Sequence, residues 1–408
     1  MKIQIERGHE MLATIKKDIK DNYYNPDLHG VDLDKQFEEA DAQIGKAVSG
    51  DQIYGIIAHT LFAFEDSHTY FVPPTWSMEV DYGWKMQVIG DKCYVTFVQD
   101  GSDAQNKGLR LGDQVLAIFD VLITRENLWQ IKYLFYRLRP LKAMSVRVRT
   151  QSGQIQQIAL LTDVKKATMA TVQERRRRAE QSINGYKEQD GSVFYWEMPN
   201  FDMSSNGVDD MMKKVGEHNA LILDLRGNPG GYEVTLQYLL GYFFDHNIRV
   251  GDRRGRKESK PVIAKTRGTK SYRGRVVTLV DSDTASAAEI FARVMQLEKR
   301  GIVVGDRTAG AVGESRIFSH DYVRWKNSPM SAFAVNYGVS VTISDLIMTD
   351  GTSLERIGVT PEELILPLPS DLSNGHDPAL MRAGQLLGIN LGPKKPKTET
   401  VKEPSLRQ

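Results

Sequence analysis

Between residues 190 and 368 the chain alternates short, largely apolar runs with helical segments, and no other feature narrows the fold as far. Val193-Phe194-Tyr195-Trp196, Leu221-Ile222-Leu223, Val276-Val277-Thr278-Leu279-Val280 and Ile302-Val303-Val304 are too short for helices and apolar on successive positions. Runs of this kind are expected of strands covered on both faces, as in a parallel sheet. Helices are expected between them at 206–216, 233–244 and 285–298. The block therefore reads as an α/β core in which helices cover a sheet.

Upstream the hydrophobic period changes twice. Residues 6–70 read as helical, with Met11, Ile15 and Ile19 at four-residue spacing and a turn at Tyr23-Tyr24-Asn25-Pro26-Asp27, where Pro26 cannot continue the first helix. The helical run stops at Pro73-Pro74. From about Trp76 to Thr162 the period is two, in runs such as Val95-Thr96-Phe97-Val98 and Val146-Arg147-Val148-Arg149 separated by Gly and Asp turns, which predicts a small β-rich domain. Arg175-Arg176-Arg177-Arg178 sits among Glu174, Glu180 and Gln181 and reads as the solvated face of a linker helix. After Leu391 the chain turns to Lys, Pro, Thr and Glu and reads as a disordered tail. A chain of 408 residues exceeds one hydrophobic core. The expected division is an N-terminal helical domain (1–74), a β-rich domain (75–165), a helical linker (166–189), the α/β core (190–370), a C-terminal helical extension (371–391) and the tail (392–408).

A net charge of +1 argues against a nucleic-acid groove. The single cysteine, Cys93, excludes an internal disulfide and a cysteine-rich metal site, and its alternating apolar surroundings predict a buried structural thiol. No apolar run approaches the ~20 residues of a membrane span, and no signal-peptide core follows Met1. The expectation is a cytoplasmic protein, or a periplasmic or secreted one if a signal peptide has been removed.

Three segments carry chemistry. In 276–296 a strand ends at Asp281, small polar residues make a turn and an Ala-rich helix starts near Ser286. A hydroxyl there meets the unsatisfied N–H groups and positive dipole of a helix start. That suits a nucleophile, but it equally suits Thr284 or Ser286 as a plain N-cap. In 221–232 an apolar strand feeds a loop with Gly227, Pro229, Gly230 and Gly231, able to present backbone N–H groups to a ligand or simply to turn. In 64–74, His68 alone of eight histidines lies between hydroxyl residues and beside two acids. It could be a base for a serine or a structural residue. No second His or Cys stands at close ligand spacing, so no metal is expected.

Together these segments resemble one family. Asp-Leu-Arg-x-Asn-Pro-Gly-Gly at 224–231, Thr-Ala-Ser-Ala-Ala-Glu at 284–289, Val-Gly-Asp-Arg-Thr-Ala-Gly at 304–310 and Leu-Glu-Arg-Ile-Gly-Val-Thr-Pro at 354–361 are similar, in this order, to the carboxyl-terminal processing peptidases. That family includes tail-specific proteases, the tricorn core and a retinoid-binding protein, and its core is of the ClpP/crotonase-like kind. The resemblance implies Ser286 as nucleophile. One branch uses a lysine 25 positions later, but that position is Ala311 here. The tricorn-like branch uses a Ser-His pair with a Glu, which Ser67-His68 matches, with Glu355 as the acid. The implied reaction is acyl transfer. His68 is the base, Ser67 and Glu355 orient it, and Gly230 or Gly231 with Ala287 provides the oxyanion donors. No metal or organic cofactor is implied.

Gly101-Ser102-Asp103-Ala104 and Gly108-Leu109-Arg110-Leu111-Gly112-Asp113 look like a PDZ domain in its permuted, protease-associated form. The implied partner is a polypeptide or peptide substrate, and the resemblance leaves room for a homo-oligomer. The competing expectation is a non-catalytic carrier of an apolar ligand on the same fold.

Overall fold

The computed structural model describes residues 1–74, 78–138, 141–166, 185–187, 192–324 and 333–391. The arginine-run linker and the tail lie outside the described residues.

The first stretch forms α1 (Lys2–Asn22), α2 (Leu33–Ile44) and α3 (Gly50–Phe62). Met11, Ile15 and Ile19 are fully buried on one face of α1, as the spacing predicts. Asp32 and Ser49 cap the next two helices by accepting from the N–H groups of Lys35 and Gln52. The three helices close over Phe71, Val339 and Val341, so their core is shared with strands from the far end of the chain. Phe71 belongs to β1 (Tyr70–Val72), which starts two residues after His68, and Val339 and Val341 belong to the late strand that β1 pairs with.

The alternating region forms β2 (Met78–Asp81), β3 (Trp84–Ile89), β4 (Lys92–Val98), α4 (Asp103–Asn106), β5 (Gln114–Ile118), β6 (Val121–Leu122), α5 (Leu128–Tyr133), β7 (Ala143–Arg149), β8 (Ile155–Leu161) and β9 (Asp163–Lys166). Its sheet runs β3-β4-β5-β7-β8, with β3 at one end. Its core includes Trp84, Met86, Val95, Val115 and Val146. Cys93 is buried there, and burial pushes its thiol up to about 12, the environment of an inert structural cysteine.

The last block comprises β10 (Gly185–Lys187), β11 (Val193–Glu197), α6 (Ser205–Val215), β12 (Ala220–Asp224), α7 (Glu233–Leu240), β13 (Ile248–Gly255), β14 (Ser259–Ala264), β15 (Arg275–Val280), α8 (Ala287–Leu297), β16 (Ile302–Gly305), β17 (Glu314–Arg324), β18 (Phe333–Met348), β19 (Glu363–Leu364), α9 (Pro369–Asn374) and α10 (Pro378–Leu387). The main sheet runs β10-β11-β12-β15-β16-β19 and is parallel from β11 onward. Phe194, Trp196, Leu221 and Leu223 pack under α6, α7 and α8, while Val193, Tyr195, Ala220 and Ile222 pack against α10. Both faces are covered, which is why these strands are apolar throughout. A second, antiparallel sheet runs β1-β18-β13-β14, with β17 on β18. The sequence reading did not anticipate it.

Candidate active site

Two loops at the carboxyl ends of neighbouring parallel strands face each other, the place where open α/β sheets present ligand sites. β15 delivers the turn 281–286 into α8, and β12 delivers the glycine loop.

Ser286 has φ 56° and ψ −123°, a left-handed conformation that costs a non-glycine residue about 1–3 kcal/mol. Its N–H donates to Ala311 O at 2.8 Å and to Glu289 Oε2 at 3.0 Å. The N–H of Glu289 goes to the carbonyl of Ser286, so the hydroxyl takes no part in the helix cap. Thr284, the other cap candidate, is buried, and its hydroxyl donates to Leu225 O at 2.8 Å. Strain with an unspent hydroxyl is the pattern of a nucleophile turn, in which the backbone is bent to present the side chain.

The sequence reading passed over Glu289. It is fully buried beneath the turn and accepts from Thr308 Oγ1 (2.5 Å), Gly310 N (2.7 Å) and Ala311 N (2.9 Å) besides Ser286 N. Burial pushes its carboxyl up to about 7, against the pull of these hydrogen bonds. The signal was present: Ser286-Ala287-Ala288-Glu289 has capping-box spacing.

The glycine loop begins at Arg226, whose guanidinium is bidentate to Asp224 (2.9 and 2.7 Å) and to Asp377 before α10 (2.8 and 2.8 Å). Gly230, at φ +93°, lies against Ser286: a Cβ there would stand 2.5 Å from Ser286 Cβ and 2.9 Å from Ala287 N. Its own N–H is spent on Asn228 Oδ1 at 2.8 Å, and Asn228 is buried and anchored to Met198 O. The N–H groups of Gly231 and Ala287 have no acceptor among the described residues. Of the two glycines left open by the sequence, the second keeps the available donor.

His68 lies between α3 and β1. Its Nδ1 is 2.8 Å from Ser67 Oγ, and Ser67 Oγ donates to Glu355 Oε1 at 2.8 Å. Glu355 Oε1 also accepts from Ser67 N (3.2 Å), while its Oε2 accepts from Val312 N (2.8 Å) and Gly313 N (3.0 Å). Asp66, a second residue the sequence reading did not single out, fastens this loop: it accepts from His68 N, Thr69 Oγ1 and Thr342 Oγ1. Oxygens of Asp66 and Glu355 and a nitrogen of His68 lie within 4.8 Å of one another, a spacing that could hold a metal ion. All four carboxylate oxygens already accept from N–H or O–H groups, however, so the arrangement suits a hydrogen-bond relay better.

Ser286 and His68 approach opposite ends of one short segment. Ala311 O receives the N–H of Ser286, and a Cβ at Gly313 would lie 3.7 Å from His68 Nδ1. Their side chains are not hydrogen-bonded to each other in this structure. The structure thus joins His68, Ser67 and Glu355 directly, and brings Ser286, Gly230, Gly231 and Ala287 together beside them.

Residues 192–365 match the model of Peptidase family S41. The core of this chain is thus similar to the peptidase domains of that family. The chain is 23% identical over 356 residues to the tail-specific protease of Haemophilus influenzae, covering 81% of this chain and 49% of that protein. It is 27% identical over 218 residues to the carboxy-terminal processing protease CtpB of Bacillus subtilis, covering 51% of this chain and 42% of that one. The chain therefore spans about half the length of these two relatives or less. In fold it is similar to mature CPAF complexed with lactacystin, with a TM-score of 0.65 at 14% identity over 91% of this chain and 96% of that one. Within the matched residues lie Ser286, the glycine loop and Glu355, whereas Ser67 and His68 precede them.

Proposed function

We propose that this chain is a serine peptidase that hydrolyses peptide bonds in proteins or peptides through an acyl-enzyme, with Ser286 as nucleophile. The observation that carries the proposal is the strained Ser286 with its hydroxyl outside the helix cap, set beside two available N–H groups.

The hydrogen-bond polarity supports the roles of the other residues. Ser67 Oγ donates to the Glu355 carboxylate, so it accepts from His68 Nδ1–H, and Nε2 is left as the unprotonated nitrogen. That nitrogen takes the proton of Ser286 Oγ as the oxygen attacks the scissile carbonyl, then returns it to the leaving amine. Water enters by the same route in reverse and releases the carboxylate product. Gly231 N–H and Ala287 N–H receive the oxyanion, each worth roughly 3–4 kcal/mol. The Ser286–His68 contact tightens when substrate binds, as catalytic hydrogen bonds commonly do.

The names of the relatives point to the carboxyl-terminal parts of polypeptides as substrates. The β-rich unit reads as PDZ-like, a fold that takes extended chain ends by strand addition, and the core as ClpP/crotonase-like. The apolar-ligand carrier finds no support. Both relatives are named as proteases.

Labelling with a fluorophosphonate tests the assignment. Wild type should label, and Ser286→Ala should not. His68→Ala should label at least 10²-fold more slowly. Equal labelling of wild type and Ser286→Ala would remove the nucleophile.

A further inference from the structure

We infer that Asp281, which the acyl-transfer steps do not use, is the positioning residue that registers the nucleophile turn, the oxyanion loop and the β-rich domain against one another, with Gln87 as its contact in that domain. The inference rests on the peptidase reading of Ser286 and goes beyond it.

Asp281 follows the last residue of β15 and stands five positions before Ser286. Its Oδ1 accepts from Gly227 N in the glycine loop (2.9 Å) and from Asp283 N in the nucleophile turn (3.1 Å), while its own N–H donates to Thr284 Oγ1 (2.9 Å). Its Oδ2 accepts from Gln87 Nε2 of β3 at 2.6 Å. One carboxylate thus holds both catalytic loops on one oxygen and the neighbouring domain on the other. Burial, with Asp283 nearby, pushes the carboxyl up, against the pull of the donors from Gly227 and Gln87.

The surrounding contacts run in the same direction. Ser282 Oγ donates to Val88 O of β3 at 2.5 Å, and Lys132 of α5 pairs with Asp283 at 2.6 Å. The turn 281–283 therefore docks between the end strand β3 and helix α5. A 1 Å displacement of either loop separates Ser286 from the Gly231 N–H, and misplacements of that size cost about 10²-fold in rate. The β-rich domain reaches the reaction through these contacts without touching it.

The full chain, assayed on an internally quenched peptide for kcat and KM and by thermal denaturation, tests this. Gln87→Ala should lower kcat about tenfold, with KM within twofold and an unchanged melting temperature. Asp281→Ala should lower kcat by about 10²-fold. The double variant should be no worse than Asp281→Ala alone, because one contact joins the two residues. Gln87→Glu should match or exceed the loss in Gln87→Ala, and adding Asp281→Asn, which exchanges acid and amide across the contact, should restore part of it even if Asp281→Ala does not fold. A Gln87→Ala enzyme with wild-type kcat, or strictly additive losses in the double variant, overturns the inference. Either result with Ser286→Ala inactive leaves the peptidase reading standing, whereas an active Ser286→Ala sinks that reading instead.

Discussion

Replacing Glu355 by Gln probes the relay with almost no change of shape. The carboxylate accepts four hydrogen bonds, two on each oxygen. An amide can accept on one side only. If its NH2 turns toward Val312 and Gly313, two N–H donors face a donor, and the loop beside His68 is pushed off. If it turns toward Ser67, the Ser67 hydroxyl must reverse and donate to His68 Nδ1, which places the ring proton on Nε2, where it cannot accept from Ser286. Each hydrogen bond to a charged group is worth about 1.5–3 kcal/mol, and each 1.36 kcal/mol is tenfold in rate. The first orientation therefore costs about 10- to 10²-fold in kcat. The second approaches the ~10⁴-fold loss that a wrong imidazole tautomer causes in a Ser-His-Asp triad. Steady-state kinetics on a peptide substrate, with fluorophosphonate inactivation rates as a measure independent of turnover, should show at least a tenfold fall in kcat with KM little changed. A Glu355→Gln enzyme within twofold of wild type across pH 6–9 would show that the base does not depend on this carboxylate, and the relay would have to be abandoned.

Gly230→Ala should abolish turnover while leaving a folded protein, because its methyl group would lie 2.5 Å from Ser286 Cβ and its φ of +93° strains any other residue; circular dichroism alongside the peptide assay checks this, and retained activity would contradict the observed approach. Glu289 makes stability fall with pH. Its folded-state pKa of about 7 lies above the ordinary 4.5, so the folded protein keeps the proton longer and loses stability as pH rises through that window, by about 3 kcal/mol in all. Denaturant titrations between pH 4.5 and 8 should show this decline in wild type and its absence in Glu289→Gln.

How far the sequence could be read depended on whether the information was local. The strands β11, β12, β15 and β16 were legible because burial on both faces leaves an apolar run. The helices after β11 and β15 were legible because their apolar period is local as well. Ser286 was legible only as a hydroxyl at a helix start, with the cap and the nucleophile indistinguishable. What separates them is a backbone angle and the partner of one N–H, neither of which composition encodes. The same holds for the two glycines. Gly230 and Gly231 are equivalent as letters, and only the side chain of Asn228, which takes the N–H of Gly230, distinguishes them. Asp281 was legible only as the end of a strand and Glu289 only as a capping-box acid, because their other partners lie farther along the chain: Gln87 for one, Thr308 and Ala311 for the other.

The antiparallel sheet is the larger omission, and it matters most for the base. His68 lies outside the residues that match the S41 model, so something outside the parallel sheet must bring it toward Ser286. β1, two residues after His68, pairs with β18 through Tyr70↔Ser340, Phe71↔Val339 and Val72↔Gly338. Thr342 on the same strand donates its hydroxyl to Asp66 and its N–H to Thr69 Oγ1. A one-residue slip of β1 along β18 would turn Phe71 out of the helical core and carry His68 away from Glu355 together, because side chains alternate faces. Burial of Phe71 and Tyr23 beneath the N-terminal helices therefore fixes the register of His68. The amino-terminal helices, which contribute no group to the reaction, are what make a histidine before β1 available to a serine more than two hundred residues later.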